Sequence, residues 1–111
     1  MDQIFNKLVR DNIPNIIKNN GEESIIRILD DAEYRKELYK KLLEECNEVI
    51  NSKNKEELLE ELADVLEVIR SIAKLENNEL DDVIEISDQK KLKRGGFEKR
   101  IFLEKTYKKE Q

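Results

Sequence analysis

Apolar side chains recur along this chain at helical spacing. From residue 31 to 51 the run "DAEYRKELYKKLLEECNEVIN" puts Tyr34, Leu38, Leu42, Cys46 and Val49 on one face, which predicts a long amphipathic helix. Residues 51–55 are polar, and so short a connection sends the next helix, at about residues 55–76, back as an antiparallel neighbour with Asn54 as its cap. Upstream, Ile13, Ile16 and Ile17 follow Asp11, with Pro14 in a first turn and Gly21 behind them, which predicts a short helix. A fourth helix is expected from near Asn78 through Leu80, Val83, Ile84 and Leu92 to the "RGG" turn at Arg94, Gly95 and Gly96. Two stretches break the helical period: "SIIRIL", before the candidate caps Asp30 and Asp31, and the tail "FEKRIFLEK". Both look extended, and their pairing would make a minor two-stranded ribbon. The expected fold class is all-α, an antiparallel helical bundle with that ribbon as its one β element, folded as a single domain over residues 1–111.

The helical wheel raises a problem in "EELADVLEVI", residues 60–69. With Leu62 at zero, the apolar arc holds Leu66, Ile69, Leu58, Val65 and Ile72, and Glu61 falls inside it at about 260°, between Val68 and Ile72. Asp64 lies on the rim at about 200°. The preceding helix repeats the pattern: with Leu42 at zero, Glu45 falls at about 300°, between Tyr34 and Leu38, and Glu48 at about 240°. Across an antiparallel pair, Glu45-x-x-Glu48 and Glu61-x-x-Asp64 would face one another. Carboxylates in a partly dehydrated groove repel, so they take up protons or gather cations. Lysine, arginine or a divalent metal can serve, and all-oxygen ligation selects Mg²⁺ or Mn²⁺. The competing reading is that such pairs arise by chance on highly charged helices and turn outward to solvent.

Composition narrows the chemistry. Charged residues make up 42% and apolar ones 38% of 111 residues, with three Gly and one Pro, which suits helices joined by short turns. The net charge of −5 argues against stable binding to nucleic acid. The chain has no histidine, so imidazole bases, Ser-His and Cys-His pairs and histidine-ligated zinc are excluded. Any enzymatic chemistry then falls to carboxylates. The lone Cys46 is expected as a small buried apolar residue. No N-terminal apolar run resembles a signal peptide or membrane span, so the expected location is cytoplasmic, with no membrane partner.

The combination "EECNE" and "EELAD" resembles the E-x-x-E … E-x-x-D signature of the all-α nucleoside triphosphate pyrophosphohydrolases, which include MazG-like proteins, dimeric dUTPases and phosphoribosyl-ATP pyrophosphohydrolase. "NKLVRDNIP", "RILDD" and "KRGGFEKRIFLE" extend the resemblance over nearly the whole chain. It implies that Glu45, Glu48, Glu61 and Asp64 are the catalytic acids and ligate Mg²⁺, with Mn²⁺ as an alternative. The implied reaction hydrolyses a nucleoside triphosphate to the monophosphate and pyrophosphate, and clearance of non-standard nucleotides from the pool is the role the resemblance suggests. Lys7, Arg10, Lys93, Arg94 and Lys99 are the candidates for the phosphates, set against a surface or ion-pair role. Gly95 and Gly96 either admit a phosphate or end a helix, the helix end being favoured. Tyr34, Tyr39, Phe5 and Phe97 could stack on a base, but with six aromatics in the chain most are expected in the core. Relatives of this kind form homodimers or homotetramers, and the wide apolar arc on the 55–76 helix agrees with that. Phosphoribosyl-ATP hydrolysis is the alternative substrate, though the histidine-containing features of that enzyme are missing. A non-catalytic helical oligomerisation module is the alternative of a different kind.

Overall fold

In the computed structural model, which describes residues 2–110, four helices follow in order: α1 (Ile13–Asn19), α2 (Asp31–Ile50), α3 (Lys55–Leu75) and α4 (Leu80–Arg94). The chain divides into two compact units, Met1–Leu80 and Asp81–Gln111. The expected all-α architecture is present. The expected ribbon is not: among the described residues there is no strand. Ile25, Ile26 and Ile28 are exposed, as are Ile101, Phe102 and Leu103. A two-stranded ribbon is marginal in water without a layer over one face, so β-branched composition alone does not secure one.

The helix boundaries follow local chemistry. Asp30 precedes α2 in an extended conformation, and its side chain accepts from the Glu33 backbone N–H at 2.9 Å. Asn54 does the same for α3, accepting from the Glu57 N–H at 2.8 Å. Each thereby satisfies an amide that the first helical turn leaves open. Pro14 sits in the first turn of α1, where its missing N–H costs nothing. The far end of α1 closes on Gly21 (φ 88°), with Glu22 N–H donating to the Ile17 carbonyl at 3.2 Å and Gly21 N–H to that of Lys18 at 3.0 Å. The end of α3 has the same paired bonds, but Asn77 takes the left-handed position with φ 62°. Gly95 (φ 82°) ends α4, its N–H donating to the Lys91 carbonyl at 2.8 Å, which is the helix-ending role.

The first unit is organised by α2 packed against α3. The four residues between them reverse the chain, and an Arg35–Glu76 ion pair joins the start of α2 to the end of α3, so the two run antiparallel. Leu38, Val68 and Ala73 are the buried apolar side chains among the described residues. Leu62, the centre of the apolar arc in the wheel, is instead 45% exposed and Leu66 42%. The line through Val68 and half-buried Ile72 is the one turned to α2, and Glu61 lies on that line. In the second unit, residues 81–110 are all exposed.

Candidate metal centre

Because α3 presents its Glu61 line to α2, one acid of the α2 pair meets both acids of the α3 pair. Glu45 from α2 and Glu61 and Asp64 from α3 each offer a carboxylate oxygen, and these oxygens lie within 4.8 Å of one another. All three side chains are half-buried. Glu48, one turn beyond Glu45, is exposed and stands outside this trio. Its charge still reaches the site. The Glu61 carboxyl is pushed above the usual carboxylate range, first by partial desolvation and then by the charges of Asp64, Glu48, Glu45 and Glu57.

Two cations enter this acidic groove. Arg10 donates from Nη2 to Asp64 Oδ1 at 2.6 Å, reaching it from the segment before α1. Lys41 lies one turn before Glu45 on α2, with Nζ 3.6 Å from Glu45 and 3.7 Å from Glu44. Among the described residues Glu61 has no ion pair, and the charges acting on it are all carboxylates. Sequence reasoning passed over Lys41, although a lysine four residues from a glutamate on one helix is a readable signal.

The other phosphate candidates are placed more loosely. Lys7 stands over the Phe5 ring at 5.8 Å and lines a narrow recess with Leu8, Lys40 and Lys41 against α2. Lys93 and Arg94 close α4 and Lys99 follows it, all in the second unit, so the groove is built from the first unit alone. Arg94 lines a hollow there with Lys90, Lys91 and Phe97. Two expectations are corrected. Cys46 is exposed, outside the row of buried and half-buried α2 residues Leu38, Leu42, Glu45 and Val49. The aromatics are mostly outside the core: Phe97 is 96% and Phe5 59% exposed, while Tyr34 is half-buried.

The donor set fits a hard divalent cation. Three convergent carboxylates supply oxygen ligands, and Arg10 with a lysine shared between two glutamates leaves negative charge unbalanced. The model of the MazG nucleotide pyrophosphohydrolase domain matches residues 34–95, more than half of the chain. The chain belongs to the MazG family. No curated protein and no solved structure gives a significant match. The MazG segment begins in the first turn of α2 and contains the rest of that helix, α3 and α4, with all three clustered acids and Lys41, whereas Arg10 lies before it. Nucleotide pyrophosphohydrolysis is the activity this domain family carries. No helix among the described residues is long and apolar enough to cross a membrane.

Proposed function

We propose that this MazG chain hydrolyses a nucleoside triphosphate to the nucleoside monophosphate and pyrophosphate, with Mg²⁺ held by Glu45, Glu61 and Asp64 and supported by Glu48. The observation that carries this reading is the convergence of three carboxylates from two helices in a chain of this family. Mn²⁺ suits the same oxygen donors. Bound there, the metal offsets the charge of the triphosphate, polarises a phosphoryl oxygen and acidifies a water. A carboxylate of this cluster not fully engaged with the metal would take that water's proton. The water oxygen forms a bond to phosphorus as the bridging P–O bond between the α- and β-phosphates breaks, and pyrophosphate leaves. Lys7, Arg10, Lys93, Arg94 and Lys99 are the reserve of positive charge for the phosphates. The family match runs from the first compact unit into the second, which supports treating the whole chain as one working domain. The cytoplasmic nucleotide pool is the natural source of substrate, with non-standard nucleotides as the class to try first.

The test is a pyrophosphate-release screen over standard and modified nucleoside triphosphates and phosphoribosyl-ATP, with and without Mg²⁺, beside Glu61→Gln. Release that requires both Mg²⁺ and Glu61 is expected. Release that survives EDTA and Glu61→Gln alike would overturn the assignment of this groove. Silence across the panel, together with no thermal stabilisation by millimolar Mg²⁺ at matched ionic strength, would favour the non-catalytic helical module.

We propose further that the chain works as a homo-oligomer, a dimer or a tetramer. Tyr39, Leu43 and Ile50 on α2 and Leu59, Leu62 and Leu66 on α3 are all at least 42% exposed. They recur at helical spacing on the flanks of a two-helix hairpin that buries few apolar side chains. A second copy of the same hairpin would cover them as a four-helix arrangement.

A further inference from the structure

We propose that Arg10 is the resident counter-cation of the acidic groove, paired with Asp64 until a divalent cation takes that carboxylate. Arginine and metal then compete for the same oxygen donor. The inference rests on the metal-site reading above, but the residue that carries it lies outside the segment matched to the family.

Three observations single out Arg10. The contact joins residues 54 apart in the chain at 2.6 Å, a charge-assisted bond and not a chance neighbour along one helix. Lys41, the other cation in the groove, divides its charge between Glu44 and Glu45 at similar distances, so it keeps a partner when one of them turns to a metal. Arg10 is paired with Asp64 alone, and its backbone is held. The Arg10 carbonyl accepts from the Ile13 N–H at 3.1 Å in the turn that starts α1, and Leu8 and Val9 beside it are half-buried. Metal entry therefore moves the guanidinium and leaves the segment in place. The freed fork stays tethered at the edge of the groove, where its planar donors suit a phosphate. Arg10 thus weakens the binding of metal alone and strengthens the binding of metal with phosphate.

The measurement is Mn²⁺ binding to the full chain at constant ionic strength, followed by the electron paramagnetic resonance signal of the free ion. It compares wild type, Arg10→Ala, Arg10→Lys and Lys18→Ala. Lys18 supplies one positive charge of the same N-terminal segment at the end of α1, as a control for net charge. Arg10→Ala is expected to bind Mn²⁺ about two- to fivefold more tightly than wild type, the range that loss of an exposed ion pair allows. Arg10→Lys should fall between the two, and Lys18→Ala should match wild type. With pyrophosphate present the order reverses, and Arg10→Ala binds the Mn²⁺–pyrophosphate pair more weakly. Wild-type affinity for Mn²⁺ in Arg10→Ala, with helical circular dichroism retained, would overturn the competition and leave the metal site standing. Equal tightening in Lys18→Ala would overturn it too, by assigning the effect to net charge. Absence of Mn²⁺ binding to wild type would defeat the metal-site reading and this inference together.

Discussion

Glu61 is the residue on which the chemistry and the stability of the hairpin pull in opposite directions. Its raised proton affinity means that the folded chain binds a proton there more strongly than the unfolded chain does. The folded state therefore loses stability as pH rises through the raised value and regains it as pH falls towards the ordinary carboxylate range. Metal-free Glu61→Gln is accordingly expected to unfold at higher urea than wild type at neutral pH, with the gap closing as pH falls through that window. A gap that stays constant with pH, or reverses at neutrality, would contradict the crowding of charge seen around Glu61. Glu33 acts with the opposite sign, since its bond to Arg27 holds its carboxyl below the usual range. Comparing variant with wild type at each pH removes that background. Activity in the same variant should vanish, which separates catalysis from folding at one position.

At the scale of the element, caps position the acids. Asn54 starts α3 and so sets the register of Glu61, two turns further on. Asn54→Ala is expected to lose about 1 kcal/mol in urea unfolding, as is Asp30→Ala at the start of α2, while Asn54→Asp keeps most of the stability. Full stability in Asn54→Ala would show that hairpin packing alone sets where α3 begins. The Arg35–Glu76 pair at the far end of the hairpin is exposed, and it orients the two helices more than it stabilises them. Both helices have acids in their first turn, Asp31 and Glu33 in α2 and Glu56 and Glu57 in α3, in keeping with the positive end of each helix dipole.

For the whole molecule, the decisive feature is apolar surface left uncovered on the hairpin. Leu62→Glu places a charge in the middle of the proposed contact between copies and is expected to shift the mass by sedimentation equilibrium towards the monomer. Cys46 reports the same event independently. It lies on α2 between Leu43 and Ile50 at helical spacing and is exposed in the single chain. A maleimide should therefore label it slowly in wild type and quickly in Leu62→Glu. Unchanged mass and labelling would place the interface elsewhere or remove it.

The sequence by itself determined the four helices and their ends, because caps, glycine and proline act locally and apolar spacing of 3.6 residues is visible without a partner. It also marked the acids: Glu61 inside an apolar arc is anomalous on any wheel. Tertiary structure decided what a wheel leaves open, namely which part of a wide arc meets the neighbouring helix. That contact runs along Val68 and Glu61 and not Leu62, and so it gathers Glu45, Glu61 and Asp64, leaves Glu48 at the edge and turns Cys46 to the surface. The Arg10–Asp64 pair was hidden for the same reason, since a contact across 54 residues has no local signature. The missing ribbon shows the reverse limit. Strand propensity is a local property, but a strand exists only where a second segment and a covering layer supply its hydrogen bonds and burial.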